Sequence, residues 1–313
     1  MNVKDIKPQS YSSLSKFEQC PYAYKLQYID RNFSSQSSIQ LDIGNLVHYV
    51  LQKKEEGTSK EELSSILRKG AITNEDLCSA ETEYKNPYSS TQKILGAEEI
   101  AEKYFDEYFV EGKSSGLNYS KKLDWFEEEY ILKPTTENEW HTLAVEMPFE
   151  FLYNDLKIKG KIDKLLVNKE FNFKIVDYKS SDSSYDEEKL KAPLQLYIYA
   201  LAIKSMFGKF PAQLEYEFIL IGKTQTITGT EWYDKAEKKL FALTERLKEA
   251  YTTGIFVPKP TPLCYWDVFS PIGCIKDEKL NGKCEYYSLW RPFDKTFKTN
   301  KKWDADKSKN FEW

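Results

Sequence analysis

Long apolar runs are missing from this sequence. None reaches the roughly 18–20 residues that a membrane-crossing helix requires, which excludes a membrane-spanning helix, and no membrane partner is expected. The opening residues, MNVKDIKPQSYSSLSKFEQC, are polar and mixed in charge and lack the apolar centre of a secretory leader, so a cytoplasmic protein is expected. Basic charge is not in excess: 45 Lys and Arg stand against 49 Asp and Glu, a formal net charge of −4. That disfavours binding a polyanion through overall charge while leaving room for a local basic groove. No internal repeat or long low-complexity segment is found. Histidine is scarce at two residues, and cysteine is odd in number at five: Cys20, Cys78, Cys264, Cys274 and Cys284. A reducing compartment argues against a disulfide framework. Three of the five fall in a short C-terminal stretch, which suits metal or cluster ligation, or else scattered buried thiols.

What is present suffices for a core. The 313 residues are 41% hydrophobic and 15% aromatic, led by 22 Tyr and 18 Phe, enough for one large folded domain or a core with a helical insertion. Leu14, Phe17, Tyr24 and Leu26 at helical spacing, behind a serine cluster suited to capping, predict a helix over 11–28. A second is expected at about 41–54. Residues 59–126 are mostly helical in pattern and charge-rich, with a Pro/Ser/Asn interruption near 84–90. The texture then changes. Residues 141–152, 156–167 and 171–178 are β-branched and aromatic with partial alternation and predict three strands, the last two joined by a hairpin loop at Asn168-Lys169-Glu170. A helix over 187–207, a strand over 214–221 and a helix over 233–251 follow. The expected organisation is an α/β protein: N-terminal helices with Cys20 and His48 (1–58), a helical insertion or cap (59–139), an α/β core (140–257) and a cysteine-bearing tail (258–313).

The chemistry centres on Gly160-Lys161-Ile162-Asp163 and Ile175-Val176-Asp177-Tyr178-Lys179. On two hairpin-paired strands Asp163 and Asp177 converge at one end of the sheet, where two carboxylates would bind Mg²⁺ or Mn²⁺, hard cations that favour oxygen. Lys179, two residues beyond Asp177, points to the same face and could orient an attacking water or offset charge on a phosphate. In a chain with 30% charged residues an Asp-x-Lys spacing also arises by accident. The apolar strand leading into it matters, because a buried strand-end carboxylate is costly without a partner. His48, on a helix with an otherwise apolar face, reads as a core histidine or as an added ligand through its neutral imidazole. Glu146, in Ala144-Val145-Glu146-Met147-Pro148-Phe149, is either a further ligand or a solvated strand residue. Gln195 and Tyr199 are four apart and share a helix face, so they could hydrogen-bond phosphate oxygens, or Tyr197 and Tyr199 could simply be core aromatics.

The ordered series Gly44 to His48, Glu146, Gly160-Lys161-Ile162-Asp163, Asp177-Tyr178-Lys179 and Gln195-Leu196-Tyr197-Ile198-Tyr199 resembles the RecB-like branch of the PD-(D/E)XK nuclease superfamily. The resemblance implies a restriction-endonuclease-like core with a mixed central sheet flanked by helices. It implies His48, Asp163 and Asp177 as metal ligands, the Tyr178 carbonyl completing the shell, Lys179 as the catalytic lysine, and Gln195 and Tyr199 as a motif that contacts DNA. Cys20 resembles the N-terminal cysteine of the iron–sulfur members of the family, such as the AddB nuclease domain and CRISPR-associated RecB-like nucleases. By that likeness Cys20, Cys264, Cys274 and Cys284 would hold a 4Fe–4S cluster, four thiolates being what one requires. The tail departs from the family's Cys-x-x-Cys pair: Asp267 stands where the second cysteine belongs. Asp267 as a ligand, Cys284 reaching in by another path, a Zn²⁺ site and a site without metal therefore all stay open.

The implied function is a metal-dependent DNA nuclease, an exonuclease or a single-strand or flap-processing enzyme of recombination, repair or phage DNA metabolism. Its substrate would be single-stranded DNA or DNA with free ends. Tyr104, Phe105, Tyr108, Phe109 and Trp125 could stack on bases or fill a core, and Lys295, Lys298, Lys301 and Lys302 of the tail could meet phosphate. No ATP-binding loop of the Gly-x-x-x-x-Gly-Lys-Ser/Thr type occurs, so a helicase or recombination partner would be a separate chain. The alternative is an inactive nuclease fold that binds DNA or a helicase and carries a structural metal site.

Overall fold

The first helix stops where the sequence places a Cys-Pro step. In the computed structural model, which describes residues 3–33, 37–73, 92–109, 118–133, 139–191, 193–259, 264 and 283–284, α1 spans Tyr11–Gln19. Ser10 starts it with a capping box, its hydroxyl accepting from Ser13 N while Ser13 Oγ accepts from Ser10 N. Cys20 then turns extended (φ −158°, ψ 108°), and the chain resumes as α2 (Pro21–Tyr24) and a π-helical turn (Lys25–Ile29). Proline suits a first helical position and not an interior one, so the expected continuous helix over 11–28 is in fact two.

These elements belong to one of two compact units, residues 1–36 with 243–313; residues 37–242 form the other. Leu14, Phe17, Tyr24, Leu247, Tyr251 and Phe256 are buried in the first unit. There Tyr24 meets Phe17 edge-on at 5.4 Å and Phe256 face-on at 6.3 Å and donates its hydroxyl to Gln9 Oε1 at 3.1 Å. Cys20 and Cys284 pack against the same small cluster, Ala23 and Leu26, and the Lys259 N–H donates to Cys20 Sγ at 3.4 Å. Cys264 is partly buried. Cys274, Asp267, Cys78 and the tail lysines named above lie outside the described residues.

The second unit opens with α3 (Ile39–Glu55), capped by Ser38. Its buried residues Ile39, Ile43, Leu46, Val47 and Val50 recur at the three- and four-residue spacing of one helix face. After α4 (Lys60–Lys69) a two-stranded antiparallel sheet appears that the charge-rich pattern does not announce: β1 (Gly70–Thr73) and β2 (Gln92–Leu95). Four residues are too few for alternation to show. Gly70 (φ 78°) is required at this junction, since a Cβ there would lie 2.2 Å from the Ile94 carbonyl oxygen. Helices α5 (Ala97–Lys103), α6 (Phe105–Tyr108) and α7 (Tyr119–Phe126) follow, then a π-helical turn, Glu127–Leu132. Leu63, Leu67, Ile100, Tyr108, Leu123 and Phe126 from this stretch share one apolar cluster with Leu46 and Val50 of α3 and with Val176 and Tyr178. Phe105 and Phe109 stay exposed. The interruption near 84–90 lies outside the described residues.

Five strands form the main sheet in sequence order: β3 (His141–Tyr153), β4 (Leu156–Val167), β5 (Phe173–Lys179), β6 (Gln213–Phe218) and β7 (Lys223–Ile227). Only β5 and β6 are parallel, so the sheet is mixed, as expected. The β4–β5 loop is held by the Asn168 side chain, which accepts from the N–H groups of Glu170 and Asn172. Phe171 takes a left-handed conformation (φ 59°), so β5 begins later than expected. The β5–β6 crossover is α8 (Glu187–Lys191) and α9 (Leu194–Phe207), one expected helix divided before Pro193, which lacks an N–H and disfavours helix in the residue ahead of it. Strand β6 ends at Phe218, where Ile221 N bonds back to the Phe218 carbonyl and Gly222 (φ 62°) turns the chain into β7. That edge strand, Lys-Thr-Gln-Thr-Ile, is too polar to be read as one. Helix α10 spans Tyr233–Thr253. No helix among the described residues is long and apolar enough to cross a membrane.

Candidate active site

The geometry of the site begins with the β4–β5 register. Leu165 faces Ile175 and Lys164 faces Val176, so Asp163 and Asp177 stand next in line where the pairing ends. There the Tyr178 N–H donates to Asp163 Oδ2 at 2.9 Å, and the carboxylate takes the place of a ladder carbonyl. On the other side of β4, β3 pairs Val145 with Lys164 and Met147 with Ile162, which sets Glu146 across from Asp163. A register shift between Thr142 and Ala144 fixes that phase, and Glu146 itself holds φ 46°. A side chain at positive φ is strained, and such strain persists where the surroundings over-determine it.

Helix α3 brings the imidazole. Gly44 lets the helix pass close to the end of β5, because a Cβ there would lie 3.1 Å from Ser180 Oγ. His48, one turn later, sets its ring edge against Tyr178 (centroids 5.9 Å, 85°) and its Nδ1 3.8 Å from Asp163 Oδ2. One ligating atom from each of His48, Glu146 and Asp163 lies within 4.8 Å of the others.

The charges at this site are poorly matched without a cation. Burial, reinforced by Glu146 and opposed by the Tyr178 N–H and Lys179, pushes Asp163 up to about 7. Asp177 is fully buried and is pushed up to about 6 by that burial, with Lys179 opposing and Asp163 reinforcing the rise. Asp177 Oδ1 has no hydrogen-bond partner among the described residues, while Oδ2 is ion-paired with Lys179. Desolvation lowers His48 against the pull of Asp177 and Glu146, favouring the neutral imidazole that ligates metals. Burial opposes the Lys179 charge, yet Asp177, Tyr185 and Asp163 together hold its pKa above the ordinary value. One imidazole, clustered carboxylates and an orphaned buried oxygen form a donor set that fits a hard divalent cation.

A second chain of contacts leads away from the lysine. Lys179 Nζ donates to Gln195 Oε1 at 2.9 Å, and Gln195 Nε2 donates to the Tyr199 hydroxyl at 3.0 Å. The Tyr199 ring meets Phe149 edge-on at 5.7 Å. Phe149 is the cross-strand partner of Gly160 and fills the space a side chain would occupy there, a Cβ at 160 falling 2.7 Å from Phe149 Cζ. The structure thus brings together every sequence-selected residue of the core: His48, Glu146, Asp163, Asp177, Tyr178, Lys179, Gln195 and Tyr199. Sequence reading passed over Phe149, although an aromatic paired with a glycine across a hairpin is a signal open to it.

The sequence model of the PD-(D/E)XK nuclease superfamily matches residues 8–267. The chain is similar to the Gene 69 protein of Mycobacterium phage L5, 26% identical over 290 residues that cover 83% of this chain and 94% of the phage protein. It is also similar to the Gene 69 protein of Mycobacterium phage D29, 24% identical over 270 residues, covering 81% and 91%.

Proposed function

The chain belongs to the PD-(D/E)XK nuclease superfamily, and from that membership we propose that it is a deoxyribonuclease dependent on Mg²⁺ or Mn²⁺. The observation that carries the proposal is the convergence of His48, Glu146 and Asp163 beside the buried Asp177–Lys179 pair. His48, Asp163, Asp177 and the Tyr178 carbonyl would hold the metal, with Glu146 as a further ligand. When bound, the cation supplies a water of lowered pKa and offsets charge on the phosphate. Lys179, held between Asp177 and Gln195, is placed to orient the attacking water and to meet the charge that develops on the phosphate. The substrate is single-stranded DNA or DNA with free ends, cut exonucleolytically or at flaps, with any helicase supplied by another chain. The phage origin of the two relatives is in keeping with phage DNA metabolism.

In the first unit, Cys20, Cys264, Cys274 and Cys284 would ligate a 4Fe–4S cluster or Zn²⁺. The packing of Cys20 and Cys284 against one apolar cluster, and the Lys259 N–H aimed at Cys20 Sγ, support this.

The test is cleavage of end-labelled linear single- and double-stranded DNA with Mg²⁺ or Mn²⁺ by wild type, Asp177→Ala and Lys179→Ala. Metal-dependent cutting that both substitutions abolish is the expected result, and the product ladder separates end-directed from internal cleavage. A folded wild type that cuts nothing would leave the DNA- or helicase-binding module instead. Equal cutting by all three proteins would overturn the site.

A further inference from the structure

Tyr199 is 6% exposed, and its oxygen is engaged by Gln195 Nε2. A buried phenol so occupied is poorly placed to reach a phosphate. What it does instead is orient an amide. Gln195 has a carbonyl end and an NH₂ end, and only the carbonyl end can accept from the Lys179 ammonium. With Tyr199 accepting at Nε2, the opposite end faces Lys179. The ammonium is thus held by two acceptors on different elements, Asp177 on β5 and Gln195 on α9. With Asp177 alone, it could swing about that carboxylate.

The position of Tyr199 is set in turn from β3. The Phe149 ring lies over Gly160, where any larger residue would displace it, and its contact with Tyr199 fixes that ring's lateral position. We propose that Phe149, seated over Gly160, is a positioning residue that sets the Lys179 ammonium through Tyr199 and Gln195. This rests on the nuclease reading and deepens it: the paired Gln195 and Tyr199 act on the rate of the chemical step through Lys179, and not on DNA affinity. It also gives Gly160 a role beyond backbone freedom, as the vacancy that admits the ring.

The test measures kcat and KM for metal-dependent DNA cleavage, with thermal stability in parallel, for wild type, Tyr199→Phe, Phe149→Leu and the double variant. Tyr199→Phe keeps the ring and removes only the hydroxyl. Each single change is expected to lower kcat roughly tenfold with KM held within about twofold, since displacement of a catalytic group acts on the rate. Acting through one chain of contacts, the pair is strongly non-additive, and Phe149→Leu costs less than about twofold more in the Tyr199→Phe background. Where Phe149→Leu is too unstable to assay, Gly160→Ala, which crowds the ring instead of removing it, carries the same expectation. An unchanged kcat, fully multiplicative losses or a loss confined to KM overturns the proposal, the last pointing to DNA contact. Wild type that cuts while the variants match it refutes this inference alone; wild type that cuts nothing refutes the nuclease reading with it.

Discussion

Replacing Asp163 by asparagine is expected to stabilise the metal-free protein while abolishing its chemistry. Burial first, and Glu146 after it, raise this carboxyl from 3.8 to about 7 in the fold. The folded state therefore binds the Asp163 proton more tightly than the unfolded chain does. The stability this contributes is fully present below about pH 4 and is lost as pH rises through about 7. At about 1.4 kcal/mol per tenfold change in proton affinity, the loss has a ceiling of about 4 kcal/mol. Solvent at a side chain that is 14% exposed, and relaxation around it, bring the figure below that ceiling. Asparagine imitates the neutral carboxyl at every pH, and its amide oxygen can still accept from the Tyr178 N–H. The variant should gain nothing near pH 4 and up to a few kcal/mol near pH 8, a rise of several degrees at roughly 2 °C per kcal/mol.

Asp177 rises to about 6 for related reasons and shares the window. The two do not add, because neutralising residue 163 also removes a charge that raises Asp177. The assay is thermal unfolding in chelator across that pH range, then with Mg²⁺ restored. Wild type should gain stability from the metal near pH 8, where both carboxylates are charged, and Asp163→Asn should gain little. A variant less stable than wild type near pH 8 in chelator, or a gain equal at all pH values, would refute the reasoning.

Glu146→Gly should relieve the positive-φ strain, worth about 1 kcal/mol, in the metal-free protein, and raise the Mg²⁺ or Mn²⁺ needed for half-maximal cleavage about tenfold; unfolding curves and a metal titration check the two halves. Asp42→Ala should cost roughly 2–3 kcal/mol by denaturant unfolding, because it strands Lys103 at the end of α5 and Tyr104 just beyond it, which both donate to Asp42 at 2.9 Å. Protein purified without oxygen should be brown, with broad visible absorption that Cys20→Ala removes; a colourless wild type that retains stoichiometric zinc would establish the zinc alternative.

The long strands of the core were legible because thirteen, twelve and seven residues carry enough alternation to declare themselves. The four-residue pair β1–β2 and the polar edge strand β7 do not. The breaks at Pro21 and Pro193 were written in the sequence but masked by apolar spacing that runs straight across them. At the site, Asp163 and Asp177 were expected at one end of paired strands, but the three-residue loop read from the sequence pairs Asp163 with Ile175; Phe171 and Asn172, which join the loop in the fold, bring Asp163 level with Asp177. Glu146 could not be placed by counting. The register shift between Thr142 and Ala144 resets the phase of β3, and positive φ at residue 146 re-aims its side chain. The helical spacing of Gln195 and Tyr199 put them on one face, but only the fold shows that they bond each other and that Gln195 accepts from the lysine.

Burial alone does not mark the site, since the second unit buries carboxylates elsewhere too. Asp42 is desolvated yet held below its ordinary value by hydrogen bonds from Ser37, Lys103 and Tyr104. Glu55 is likewise desolvated yet lowered by Lys164 and Thr142. Glu215 is ion-paired with Lys174 at 2.8 Å, and Glu217, though raised by burial, accepts the Tyr130 hydroxyl at 2.8 Å. Each of these carboxylates has a donor from a neighbouring element. At the strand ends Glu146, Asp163 and Asp177 crowd one another, with Lys179 on Asp177, Lys161 3.9 Å from Glu146, and Glu146 itself on a strained backbone. A fold that gives its carboxylates donors elsewhere, yet here holds Asp163 and Asp177 well above the ordinary carboxylate range and leaves Asp177 Oδ1 without a hydrogen-bond partner among the described residues, has an arrangement that a cation would complete. That contrast, more than the presence of any one acidic residue, is the physical case for a metal site here.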